Sequence, residues 1–124
     1  MTRKELTTPF ESPRMFQVWS YTVSHGQLLF RSTKSDDSPT RIDILFKNVD
    51  AMNVARRFDG LSIRDATAEE RLSAARGSDV ELDDPNQRLW IVESLGFRGH
   101  VAAGVVLVHE ADAEYDEPSA LLPY

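Results

Sequence analysis

Residues 14–47 read R-M-F-Q-V-W-S-Y-T-V-S-H-G-Q-L-L-F-R-S-T-K-S-D-D-S-P-T-R-I-D-I-L-F-K, and this stretch decides the fold class. Residues 14–23 are rich in β-branched and aromatic side chains, the composition of a strand. Alternation puts Met15, Gln17, Trp19, Tyr21 and Val23 on one face and Phe16, Val18, Ser20 and Thr22 on the other. Ser24-His25-Gly26 supplies a turn, because glycine accepts φ > 0, and residues 27–34 return as a second strand. Ser35-Asp36-Asp37-Ser38-Pro39 is turn chemistry throughout. Residues 40–47 then alternate cleanly, with Ile42, Ile44 and Phe46 on one face and Arg41, Asp43, Leu45 and Lys47 on the other. That is the pattern of a half-buried strand in an antiparallel sheet.

Outward from these three strands the signals weaken and then recover. Residues 49–58 are ambiguous, with Met52 and Val54 as the inward side chains. Asp59-Gly60 predicts a turn before a short strand over 61–64. Thr67 opens T-A-E-E, with Glu70 at the capping-box spacing. Residues 68–76 are good helix formers, and Gly77 stands where a C-terminal glycine belongs. Only Leu72, Ala75 and Ala68 offer this helix an apolar stripe, which predicts a surface position. Pro85 keeps the acidic loop over 78–86 from extending it. Residues 87–94 (with L-W-I-V) and 99–110 (with V-A-A-G-V-V-L-V-H) are apolar on both faces and read as central strands, joined by a hairpin over 95–99. Ala102, Ala103 and Gly104 leave room opposite for a bulky filler, Trp19 or Trp90. The sum is a mainly β chain of α+β type. It is expected to be an antiparallel sheet of about seven strands, curled into a small barrel or sandwich, with one short helix near 68–76. Residues 1–13, with Pro9 and Pro13, read as an extended arm, 14–110 as a single β-rich domain and 111–124 as an acidic tail.

Composition excludes several classes of function. The chain has 124 residues, no Cys and a net charge of −6. Disulfides, thiolate zinc sites, iron–sulfur clusters and cysteine nucleophiles are therefore excluded. The longest apolar run, 101–108, is far short of the roughly 20 residues that span a bilayer. No apolar h-region follows the N-terminal charges, so no signal peptide and a cytoplasmic location are expected. The acidity is local. Residues 79–84 (D-V-E-L-D-D) carry four acids and 110–117 (E-A-D-A-E-Y-D-E) carry five. Without those nine, eleven acids face fourteen bases, a body of +3. Arginine supplies eleven of those bases, a compositional hint of a GC-rich bacterial source.

W-S-Y-T-V-S-H-G-Q-L-L-F-R-S (19–32) and R-I-D-I-L-F-K-N-V-D-A-M (41–52) resemble small uncharacterised bacterial proteins, chiefly actinobacterial. The resemblance covers about the first half of the chain and implies a bacterial cytoplasmic protein of unknown function. It transfers no site residue.

The residues themselves assign no catalytic, cofactor-binding or metal-binding site. His25 lies in a turn, while His100 and His109, nine apart, point to opposite faces of one strand, so no two of them chelate from that strand. Ser24-His25 are neighbours, a poor geometry for a nucleophile and its base, and no G-x-S-x-G is present. The glycines of G-F-R-G-H-V-A-A-G match neither a dinucleotide fingerprint nor a P-loop. The carboxylate pairs Asp36-Asp37, Asp83-Asp84 and Asp116-Glu117 sit in polar stretches, where water keeps acids ordinary. The 79–84 loop lacks the spacing of a calcium loop. A patch of Arg31, Arg56, Arg57 and Arg98 is the one opening for nucleic acid, which the net charge disfavours. The leading reading is a non-enzymatic protein-binding module of immunity or adaptor type, engaging a basic partner through 79–84 and 110–117. The alternative is a ligand-binding or enzymatic β-barrel whose pocket is lined by Trp19, Tyr21, Trp90 and a histidine. A third is a homodimer formed through a sheet edge.

Overall fold

A computed structural model describes residues 3–77 and 87–122. Its strands are β1 (Arg3–Glu5), β2 (Phe10–Thr22), β3 (Gln27–Ser32), β4 (Arg41–Lys47), β5 (Ala51–Asn53), β6 (Arg57–Asp65), β7 (Arg88–Ser94), β8 (Phe97–Ala103) and β9 (Val105–Ala111). One helix, α1 (Ala68–Gly77), lies between β6 and β7. All pairings are antiparallel within one sheet, in the order β1-β9-β4-β3-β2-β6-β7-β8-β5. The fold is mainly β with one short helix, as the alternation predicts, and the sheet is not closed.

The sheet curls because two long runs of chain lie side by side. β4 and β5 are successive pieces of one run, and β8 and β9 of another. Lys47 faces Val105, and Ala51 faces Ala102. Between them the Gly104 N–H donates to the Lys47 carbonyl at 2.9 Å and the Asp50 N–H to the Ala102 carbonyl at 2.9 Å. Nine strands replace the expected seven partly because each of these runs is interrupted, at residues 48–50 and at Gly104. The N-terminal stretch adds β1, which pairs with β9.

The concave side holds the main core. Phe16, Phe30, Phe46, Phe58 and Trp90 converge from five strands and are buried with Ile44, Ile63, Val92, Val101 and Ala103. Phe30 is the hub, edge-on to Phe46 at 5.2 Å and tilted against Phe58 at 5.0 Å, while Phe46 meets Trp90 at 6.2 Å. These are the offset and T-shaped geometries that ring quadrupoles favour. Trp90, and not Trp19, shares this core with Ala103.

Several local expectations are corrected. Asp59-Gly60 is no turn: β6 runs straight through it. Gly60 has φ 76° and lies opposite the register shift between Ser12 and Met15 of β2, where Pro13 has no N–H to donate. The glycine accommodates an irregular strand pair there. The β7–β8 joint is shorter than expected, because Ser94 pairs directly with Phe97 and only Leu95 and Gly96 (φ 76°) form the turn. Met52 is exposed on β5, whereas Val54 packs against the core. The capping box of α1 forms in both directions: the Glu70 N–H donates to Thr67 Oγ1 at 3.1 Å and the Thr67 N–H to Glu70 Oε1 at 2.9 Å. Leu72 is exposed while Glu70 and Ala74 are partly buried. Finally, β4 is buried on both faces rather than one, because the C-terminal segment covers its outer side.

Candidate functional site

The outer faces of β3 and β4 carry three almost inaccessible charges. Arg31, Asp43 and Arg41 are 2%, 0% and 3% exposed. Arg31 Nε donates to Asp43 Oδ1 at 2.8 Å and its Nη2 to Oδ2 at 3.3 Å; Arg41 Nη2 donates to the same Oδ2 at 3.3 Å. The Arg31 guanidinium also lies 4.6 Å over the Trp19 ring. One carboxylate between two guanidiniums leaves a positive excess away from water, which must be met by further acceptors. Backbone carbonyls of the C-terminal segment meet it. Arg31 Nη1 donates to the Tyr115 carbonyl at 2.7 Å. Arg41 Nη1 donates to the carbonyls of Glu114 and, at 2.8 Å, Glu117, and its Nη2 reaches that of Pro118 at 3.5 Å.

An apolar anchor completes the mount. Leu121 is buried against Leu29 and Leu45, with Trp19, Leu107 and Leu122 packed around it. The Leu121 N–H donates to Ser119 Oγ at 3.2 Å. Between the anchor and β9 the chain makes a tight turn, in which the Glu117 N–H donates to the Glu114 carbonyl at 3.2 Å and the Glu114 N–H to Glu117 Oε1 at 3.2 Å. Its backbone faces the arginines and its side chains face out: Glu114, Tyr115, Asp116 and Glu117 are all exposed, Tyr115 by 60%.

The acids of 110–117 are therefore not equivalent. Glu110 accepts a hydrogen bond from the Thr40 hydroxyl at 2.5 Å and lies 3.9 Å from Arg14. Asp112 and Glu114 each hold Lys34 at 2.9 Å, and these bonds push the lysine well above its ordinary range. Asp116 and Glu117 have no cationic partner among the described residues. The other acidic segment, 79–84, lies outside the described residues.

The remaining candidates are dispersed. His25 is exposed in a short 3-10 turn, Val23–His25, His100 lies on β8 and His109 on β9 opposite Asp43. Among the described residues no three His, Asp and Glu side chains converge on a metal position. Trp90 is in the core, Trp19 lies on the other side of the sheet against Arg31, and Tyr21 is partly exposed. The two tryptophans expected to share a pocket therefore lie on opposite sides of the sheet. Arg31 is buried and takes no part in a basic patch with Arg56, Arg57 and Arg98.

A second site, not legible in the sequence, lies beside α1. Arg64 of β6 grips Glu70 of α1 with both terminal nitrogens, at 2.7 and 2.8 Å. Its Nε donates to Glu93 Oε1 at 3.1 Å, and Arg98 Nε donates to Glu93 Oε2 at 2.9 Å. The two ends of this chain, Glu70 and Arg98, line a cleft of about 380 Å³ together with Asn53, Ser73, Leu89, Ile91, Gly99 and His100. The Glu70 that closes the capping box was the available signal. Its partners come from other strands, which no local pattern reveals.

Two groups here titrate away from their ordinary values. The bidentate Arg64 holds the Glu70 carboxyl down at about 2, against an ordinary 4.5. Burial pushes the His100 imidazole below its ordinary 6.5, because the charged ring is poorly solvated. In both cases the unfolded chain binds the extra proton first, so stability falls on acidification. The His100 contribution is present above about pH 6.5 and is lost as pH drops below it; the Glu70 contribution is present above about 4.5 and is lost on the way to 2. Urea midpoints measured from pH 8 to 4 are expected to show an upper loss that His100→Gln flattens. A profile unchanged by that substitution would assign the upper loss to another group.

The architecture defines the class: one curled antiparallel sheet, its outer side overlaid by a helix at one place and by the C-terminal segment at another. Among the described residues no helix is long and apolar enough to cross a membrane. Compared with protein-family models, with curated proteins and with solved structures, the chain has no match.

Proposed function

We propose that this protein is a non-enzymatic protein-binding module whose recognition element is the turn 114–117, docking on a basic partner. The observation that carries the reading is the mount. Four backbone carbonyls of 114–118 are tied to buried arginines, while Tyr115, Asp116 and Glu117 are exposed, the two acids without a cationic partner among the described residues. An element ordered in advance loses little entropy on binding. An exposed tyrosine at the centre of such a patch is the residue type that most often dominates an interface. Flanking carboxylates speed encounter with a positive surface and give the association a salt dependence. An immunity-type inhibitor that masks a basic protein is the concrete form of this reading.

The test compares baits. Purified protein and the variants Tyr115→Ala and Asp116→Asn/Glu117→Gln, each shown to fold by circular dichroism, are immobilised and exposed to lysate in 50 mM and 500 mM NaCl. A partner retained by the native bait at low salt, weakened at high salt and weakened about thirtyfold by Tyr115→Ala, the equivalent of a 2 kcal/mol hot spot, supports the reading. Identical capture by all three baits rejects it.

A further inference from the structure

The cleft beside α1 has the size of a small-molecule site, and its chemistry is one-sided. Its volume of about 380 Å³ falls in the range of roughly 300–1,000 Å³ usual for ligand pockets. The floor is apolar, with Leu89 and Ile91 buried. Gly99 brings the backbone in close: a Cβ there would stand 1.9 Å from the Asn53 carbonyl oxygen. Around this floor stand Asn53, Ser73, Arg98 and His100.

Glu70, the carboxylate among the described lining residues, is already engaged, and so is the Glu93 that holds Arg98. Both Glu70 oxygens bond Arg64, with the Thr67 N–H on one of them. Each Glu93 oxygen accepts one guanidinium Nε. Two acids alternate with two arginines, so the chain is neutral as a whole, but its ends differ. Glu70 is saturated, whereas Arg98 uses only Nε, and its two terminal nitrogens have no partner among the described residues. The imidazole of His100, next but one along β8, makes no hydrogen bond with a described residue. What the wall offers a ligand is one charged donor, the guanidinium fork, beside an imidazole, a hydroxyl and an amide that can each donate or accept.

We infer that this cleft binds a small organic carboxylate with an apolar body. The carboxylate lies against the Arg98 fork and the His100 ring, and the apolar part lies over Leu89 and Ile91. The planar fork matches a carboxylate through two parallel hydrogen bonds, and the apolar floor disfavours a bare inorganic anion, which would leave it wet. This inference is independent of the proposed protein-binding turn, since the cleft is built on β5, β7, β8 and α1 and shares no residue with it.

The test uses three probes of stated chemistry on the full chain. Phenylacetate carries the carboxylate and the apolar body, phenethylamine carries the body with a cation, and inorganic phosphate is an anion without a body. Each is titrated at pH 7 and followed by amide chemical shifts. Phenylacetate is expected to give saturable shifts at Ser73, Ala74, Arg98, Gly99 and His100, with binding weakened about tenfold in Arg98→Gln through loss of a charged hydrogen bond. Arg98 is exposed, so this variant is expected to fold, and an unchanged spectrum outside the cleft verifies it. A Leu89→Ala variant is expected to weaken phenylacetate as well. Equal shifts with phenethylamine, equal affinity for phosphate, or phenylacetate binding indifferent to Arg98→Gln each overturns the assignment, as does no saturable shift with any probe.

Discussion

Asp43→Asn is expected to cost about 3–5 kcal/mol of stability and to loosen the C-terminal segment from the sheet. The carboxylate is fully buried between Arg31 and Arg41 and accepts three of their hydrogen bonds. Removing one partner of a buried ion cluster leaves uncompensated charge in a medium that solvates it poorly, a loss of roughly that size. Asparagine keeps the shape but turns one acceptor into a donor that faces a guanidinium. The two arginines then repel each other with only carbonyls between them. Since those carbonyls belong to residues 114–118, relaxation of the arginines also releases the turn. Urea denaturation measures the first effect, and limited proteolysis within 112–120 under native conditions measures the second. A loss below about 1 kcal/mol with unchanged proteolysis would mean that the carbonyls alone neutralise the guanidiniums.

Phe30→Ala is expected to cost a similar 3–5 kcal/mol for a different reason. The ring is fully buried and touches Phe46 and Phe58 at 5.2 and 5.0 Å. Truncation removes its transfer free energy and leaves a cavity that the stiff sheet backbone cannot close. Against a typical stability of about 5–15 kcal/mol, this is a large fraction of the whole. Phe30→Leu refills most of the volume and is expected to cost less than half as much. Equal losses in the two variants, read by thermal or urea unfolding, would show that the ring contacts and not the volume matter there.

The two substitutions also separate what could be read along the chain from what could not. Phe30 is recognisable in sequence as part of an apolar strand beside a turn glycine. Asp43 is not recognisable. It alternates with Ile42 and Ile44 just as a solvent-facing residue does, and the parity of a strand says only that it lies on the other face. The acidic segment 110–117 was legible as the place of interest, but which of its acids are free was not. Lys34, Arg14 and Thr40 take Glu110, Asp112 and Glu114 from far away in the chain. The cleft was invisible for the same reason, as Asn53, Glu70, Leu89 and Arg98 come from three strands and a helix.

What the sequence determined by itself is everything governed by near neighbours: period-2 alternation in β4, the glycine turn at Gly26, the capping box of α1, and the absence of any cysteine chemistry. Tertiary structure alone decided which faces are covered. Asp59-Gly60 is a turn by local chemistry, yet pairing with β2 holds it inside β6. Arg31 and Arg41 are surface residues by composition, yet the Tyr115 carbonyl, 84 positions beyond Arg31, completes a buried site around them. The physical reason is that local conformational preference fixes the direction in which a side chain leaves the backbone. Whether water or another part of the chain waits there depends on contacts between residues far apart in sequence.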